Sequence, residues 1–515
     1  MGEPVTIIGS FFGEQRGDSY VVIAGAQPTG TAYMEWSENS IRLRLPEFGE
    51  AGLVFVNVGG RRSNGVLFAN RSAIPVAVGN GRRGLAPSID SVNPGEGAVG
   101  SLVSISGSGF GDSRGNGVVF FSVAGTEAET EVSQGDFGYE FWSDREIRVR
   151  VPDGSTPGSS NPGTLTVRTA RGDSPPVSFT VSGGPGTKSF SQRRTYFINY
   201  SVDIRTEEAG TPNALHLWVP SPALSPAQRG AQMLFSSPEP FIPEFAGTGL
   251  YGLENLMPGD VSDINLSWAL DVYGVRTSVR QEDIKTDTSS PIRTANIGGF
   301  PGLPQSEMGG ISQLASTVAG RESNPYIKAG LIYWWMLENI EWEERSSGDT
   351  ASVAETKKAD SFLGALFYAA MLRSSGVPAR PVAGVLVDDD KRTVNHYWDE
   401  FWIDGLGWIP VDPAMGAALA DPAGLSTAAV PEGFVFRPPA GLYDADPAAF
   451  YFGNMDNRRI AFSRGFTEIS GMDPRGRTVA HTRSFALQTL WEEATGGLRA
   501  YSSLWDIIIT GMDVQ

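Results

Sequence analysis

The chain repeats itself. Val5 to Ile23, VTIIGSFFGEQRGDSYVVI, aligns with Val103 to Phe121, VSISGSGFGDSRGNGVVFF, and WSENSIRLRLP from Trp36 aligns with WSDREIRVRVP from Trp142. Such self-similarity means two copies of one unit of about 90 residues. Apolar residues alternate in both (Ile41, Leu43, Leu45; Ile147, Val149, Val151) between Gly, Pro and Asp turns, the pattern of short antiparallel strands in a sandwich. The second copy opens with PSIDSVNPGEGAVG, which the first lacks, so Met1 reads as a cut end. MGEPVT fits a myristoylation pattern through Gly2 and Thr6, but apolar alternation begins at once, which favours a strand inside a domain. The glycine run SGSGFGDSRGNG lacks the Gly-Lys-Ser/Thr ending of a phosphate loop.

Each copy carries a Gly-x-x-Phe-Gly turn, Gly9 to Gly13 and Gly107 to Gly111. In this the two copies resemble the immunoglobulin-like IPT/TIG family. The resemblance implies spacers, or surfaces for a protein or glycan ligand. Two RGDS strings, Arg16 to Ser19 and Arg171 to Ser174, fall at non-equivalent places and use ordinary turn residues, which speaks against an adhesion motif.

At 515 residues the chain is too long for one core, and its net charge of −18 argues against nucleic acid and anionic membrane surfaces. No apolar run reaches the roughly 18 residues of a transmembrane segment. With zero cysteines there is no disulfide, no thiolate metal site and no cysteine nucleophile. SGGPGTKS, Ser182 to Ser189, is a linker by composition. A strand-rich unit follows it to residue 285, and then the pattern turns helical. PYIKAGLIYWWMLENI places Ile327, Leu331, Trp334 and Trp335 at helical spacing, read as one buried face, with an aromatic binding stripe as the alternative. In KKADSFLGALFYAAMLRSSGVPAR, Asp360 or Ser361 caps a helix. Leu363, Leu366, Phe367, Ala370 and Met371 form its apolar face, and Gly376 with Pro378 ends it. Ser361 lies at the positive end of that helix, a place that suits a nucleophile and its oxyanion and equally suits a capping serine.

ARPVAGVLVDDDKRTVNHYWDEFWIDGLGWIPVDP reads as three strands joined by turns, with His396 on the second and Asp412 closing the third. A His and an Asp on neighbouring strands, facing a helix N-terminus, supply the base and its orienting carboxylate for acyl transfer. Asp388 to Asp390 lacks the ligand spacing of a calcium loop and reads as a solvated hairpin tip. Glu338, Glu341, Glu343 and Glu344 could be drawn into a glycosidase pair, but their spacing describes an exposed helix end as well. No metal and no cofactor is called for.

LRSSGVPAR with Arg373, HYWDEFW with His396, Trp398 and Glu400, and GWIPVDP with Asp412 together resemble the transglutaminase-like superfamily. The likeness spans residues 190–465, including FYFGNMDNRRIAFSRG. It implies a multidomain chain in which all-β immunoglobulin-like sandwiches precede an α+β, papain-like core. The division is 1–82 (first repeat, N-terminally truncated), 86–183 (second repeat), 188–300 (β-sandwich), 301–425 (core) and 426–515 (extension packed on the core). The family places a cysteine nucleophile twelve residues before the helix arginine; Ser361 stands there. By resemblance His396 is the base, Asp412 orients it, Trp342 stabilises the oxyanion, and Arg373, Trp398 and Glu400 are supporting motif residues. The implied function is thiol-type acyl transfer on a protein or peptide substrate, either glutamine transamidation or amide hydrolysis, inactive or weak with serine in place. The alternative is a non-catalytic binding scaffold. Ser361 then marks an engineered replacement, a natural non-catalytic relative or a working serine acyltransferase. An exported, bacterial cell-envelope location is the family-level expectation.

Overall fold

The computed structural model describes residues 4–23, 27–44, 52–59, 61–63, 66–68, 86–122, 129–131, 137–155, 163–420, 434, 446–473, 475–503 and 505–514. Both repeats build antiparallel β-sheets around their alternating residues. In the first, β1 (Pro4–Ile8) pairs with β2 (Ser40–Arg44), Ile7 opposite Ile41. In the second, β3 (Ser88–Asn93) and β5 (Glu146–Arg150) flank β4 (Leu102–Ser108), with Ile105 opposite Ile147. The repeat extends to single hydrogen bonds. Trp36 Nε1 donates to the Phe12 carbonyl at 3.0 Å and Trp142 Nε1 to that of Phe110 at 3.1 Å, while the Tyr33 and Tyr139 hydroxyls accept from Val21 and Val119 N–H at 2.8 and 2.9 Å. The indoles thus hold the two Gly-x-x-Phe-Gly turns in place. The RGDS strings lie in a turn and in a hairpin: Ser19 and Ser174 are buried, Gly172–Asp173 pairs with the strand Gly163–Thr169, and Asp173 is held by the Arg168 guanidinium at 2.8 and 3.0 Å.

The next unit is organised by two long strands, β6 (Gly186–Glu208) and β7 (Val261–Val279), paired from Gly186 opposite Val279 to Arg205 opposite Val261. Its core holds Tyr196, Tyr200, Tyr251, Phe485 and Trp491. Here the structure differs from the sequence division, which packs all of 426–515 on the core. Strands Arg499–Ser503 and Ile507–Val514 pair with β6, and Glu492–Thr495 pairs with Ala214–Pro220. Backbone pairing of strands distant in sequence leaves no local signature, so the extension gave no sign of belonging to this sandwich.

The helical unit packs α1 (Pro325–Asn339) and α2 (Ser361–Ser374) against a sheet of β8 (Ala379–Val387), β9 (Thr393–Ile403), β10 (Gly407–Val411) and β11 (Arg459–Arg464), in the order β10-β9-β8-β11. Asn324 caps α1, accepting from Tyr326 and Ile327 N–H. The buried face of α1 is Ala329, Ile332, Tyr333 and Met336; Leu331 and Trp334 are each 41% exposed. The sequence stripe therefore named the wrong face: α1 is apolar nearly all round, and several stripes satisfy the helical period. In α2 every residue from Leu363 to Arg373 is buried, and Gly376 at φ +75° releases the chain toward β8. Asp388 is no solvated tip. It is fully buried and accepts from Asp390 and Arg392 N–H and from Arg392 Nε, each at 2.8 Å, so its carboxylate builds the turn. Glu341 and Glu343 pair with Lys358, outside α1.

Candidate active site

Asp360, whose Oδ1 accepts Leu363 N–H at 2.9 Å, is the cap of α2 and leaves Ser361 as its first residue. The other Asp360 oxygen takes Ser346 N–H at 3.1 Å and the Arg483 guanidinium. Arg483 also lies 4.9 Å from the Phe362 ring centre, so it touches both neighbours of residue 361. Phe362 meets Tyr397 edge to face, ring centres 5.0 Å apart. The helix start therefore reaches β9 one residue from His396.

His396 is fully buried, and its Nε2 lies 2.8 Å from Asp412 Oδ2. Asp412 follows β10 and caps α3 (Pro413–Ala420), accepting Met415 N–H at 2.9 Å through Oδ1. A third partner arrives from β11: Arg459 Nη1 donates to the same Asp412 Oδ2 at 2.6 Å, and its Nη2 to Asp456 at 2.6 Å. Burial alone would raise the Asp412 pKa, but His396 and Arg459 outweigh it and pull the group down to about 2. Asp412 is thus a carboxylate that orients the imidazole and accepts its Nε2 proton. The other ring nitrogen, Nδ1, is buried without a hydrogen-bond partner among the described residues. The structure joins His396 to Asp412; among the described residues it gives the Ser361 hydroxyl no hydrogen bond. Strand alternation sends Tyr397 and Phe401 toward α2 and puts His396, Trp398 and Glu400 on the other face of β9.

Trp342 Nε1 is likewise buried and unpartnered among the described residues. Its ring lies so close to the first turn of α2 that a Cβ at Gly364 would meet it at 2.5 Å. The motif residues are scaffolding. Arg373 donates to the carbonyls of Ala295, Ile297, Gly298, Gly299 and Ala379, and burial lowers its pKa to about 10. Burial would raise the Glu400 pKa, yet Arg464 and Arg380, the latter at 2.9 Å, hold it below the usual carboxylate value. Trp398 stacks beside His396, ring centres 6.2 Å apart, and under Arg459. Sequence reasoning missed Arg459, Asp456, Arg483 and Gly364. The first two stand in the quoted FYFGNMDNRRIAFSRG stretch, where an Asp and paired Arg among apolar residues were the available signal.

Immunoglobulin-like modules followed by a helix-and-sheet core with a buried His–Asp pair define a multidomain protein carrying an IPT/TIG domain and a transglutaminase-like core. The family models bear this out: residues 87–192 match the IPT/TIG domain and residues 312–413 the transglutaminase-like superfamily. An uncharacterized protein of Haemophilus influenzae is 26% identical over 137 residues, a match that takes in 21% of this chain and 37% of that protein's length. Among solved structures, a candidate cysteine protease from Cytophaga hutchinsonii is 14% identical, covering 64% of this chain and 91% of its own, at a TM-score of 0.38. A surface glycan-binding protein from Prevotella bryantii is 8% identical, covering 54% of this chain and 94% of its own, at a TM-score of 0.17.

Proposed function

We propose that the core is built for thiol-type acyl transfer at an amide of a protein or peptide, with Ser361 at the nucleophile position and the chain inactive or weak as it stands. The observation that supports this most is the His396–Asp412 pair: a fully buried imidazole with one nitrogen bound to a carboxylate and the other unbonded, next along β9 to Tyr397, which meets Phe362 of α2. Nδ1 is the site that takes the nucleophile's proton and later returns it to the leaving amine. Trp342 Nε1, unpartnered next to the first turn of α2, would donate to the oxyanion. A cysteine at 361 would ionise readily beside a helix N-terminus and an imidazole; a serine hydroxyl needs its proton removed in the same step as attack.

Ser361→Cys tests this. Because the chain holds no cysteine, iodoacetamide labelling reports on residue 361 alone. We expect faster labelling than a free thiol at neutral pH, slowed by His396→Ala. Labelling no faster than free thiol and indifferent to His396 would sink the reading. The second reading is a non-catalytic scaffold, presenting a protein or glycan partner, and the serine at position 361 of a chain without cysteine favours it. An exported envelope location belongs to the same proposal. No helix among the described residues is long and apolar enough to cross a membrane, and cell fractionation is its test.

A further inference from the structure

Position 361 follows directly on a carboxylate. Asp360 is buried and caps α2, so an anion formed at 361, whether a thiolate or a developing alkoxide, meets a like charge one residue away. That opposes its formation. The Arg483 guanidinium answers it by pairing with Asp360 Oδ2. The same guanidinium donates to the Ser346 carbonyl at 2.9 Å, and Ser346 N–H donates to that Asp360 oxygen at 3.1 Å. Because Glu341–Trp342 pairs in parallel with Lys358–Ala359, the Ser346 loop is the continuation of the strand that carries Trp342. One side chain therefore ties the Trp342 segment to the start of α2.

The residues after Arg483 reach the third element. The Ser484 carbonyl accepts the Tyr397 hydroxyl at 2.7 Å, next along β9 to His396, and Leu487 packs with Ala365 of α2 and with Tyr397. Between them, Phe485 and Ala486 are buried in the core of the sandwich built on β6 and β7. The strap 483–487 thus touches the Trp342 segment, α2 and β9 while anchored in another domain. Other ionisable groups around the start of α2 are already engaged. Lys358 pairs with Glu341 and Glu343, Lys357 lies over the Trp335 ring, and burial raises the Tyr397 hydroxyl well above its ordinary value. His481 binds Glu492, and Glu344, Arg345 and Asp349 of the Ser346 loop are exposed. His396 and the Asp360–Arg483 pair remain as the charges that bear on position 361.

Building on the acyl-transfer reading of the core, we propose that Arg483 is a positioning residue of the site, which cancels the Asp360 charge beside position 361 and locks the start of α2 to the Trp342 segment. The strap makes the sandwich domain part of the nucleophile position.

The test measures the iodoacetamide rate against pH in the full chain carrying Ser361→Cys and His396→Ala, where the thiol is the ionising group that the rate reports. Arg483→Gln should raise the pH midpoint by about one unit, the effect of one uncompensated charge at a half-buried site. Asp360→Asn keeps a capping side chain and should lower the midpoint. The double variant should return it close to its starting value, and Arg483→Lys, which keeps the charge, should move it least. A purely structural role would change melting temperature without this pattern of signs. A midpoint unmoved by Arg483→Gln, or a double variant raised as far as Arg483→Gln alone, would overturn the proposal. Should Arg483→Gln lose its near-UV dichroism, Asp360→Asn decides, and an unchanged midpoint there overturns it. All these variants lack His396, so their differences are independent of whether His396 accelerates labelling, which is the test of the core reading itself.

Discussion

Asp412 should contribute to the acid stability of the core. Its ordinary pKa of 3.8 falls to about 2 in the fold, where burial is outweighed by His396 and Arg459. A carboxylate with a depressed folded pKa contributes stability that is fully present above its unfolded pKa and is lost as pH falls through the folded one. At roughly 1 kcal/mol per pH unit, the difference amounts to a few kcal/mol at neutral pH, lost between pH about 4 and about 2. Asp412→Asn keeps the shape but leaves His396 without its anion and Arg459 with Asp456 alone, so it should destabilise the core at pH 6 by about that amount, and the penalty should shrink as pH falls toward 2. Denaturant midpoints at pH 6, 4 and 2.5, followed by the fluorescence of Trp398, Trp402 and Trp408 and compared with the unmutated chain, measure this. A penalty that stays constant across those three pH values would refute the assignment of Asp412 as a buried, ion-paired carboxylate.

Asp399 works in the opposite direction. Both its oxygens are buried and unpartnered among the described residues, and burial, with Asp412 and Glu400 nearby, raises its pKa well above the ordinary value. Its folded form holds a proton that the unfolded chain releases above pH about 4, so it costs stability as pH rises from there; Asp399→Asn should flatten that decline in a thermal-melt series from pH 4 to 8. Gly364→Ala would drive a methyl into the Trp342 ring, costing about 1–3 kcal/mol of overpacking. In the Ser361→Cys background it should also change the Trp342 emission and slow amide turnover more than thiol labelling.

Local pattern made much of this legible. The repeat, its Gly-x-x-Phe-Gly turns and the alternation of Ile147, Val149 and Val151 are written in adjacent residues, and the packing follows from them. His396 and Asp412 could be paired because both lie on one run of strands joined by short turns. Arg459 could not be placed, since it reaches Asp412 from β11, on the far side of β8 in the sheet order. The buried face of α1 was hidden by an excess of apolar residues, and Asp388 by the assumption that a run of acids is solvated. Gly364 could be read only once Trp342 was seen against it.

The strands at the end of the chain carry a further consequence. Because Arg499–Ser503 and Ile507–Val514 pair with β6, the sandwich that opens at Gly186 cannot close until those two strands have been synthesised. The whole helical unit is therefore a loop between the two halves of another domain, and must form while its host still lacks strands. Emerging from the ribosome, the chain would expose one edge of β6 until those two strands arrive. Deletion of residues 499–514, remote in sequence from Ser361 and His396, would then remove two strands from the sheet that anchors both ends of the core, a loss far greater than its length suggests.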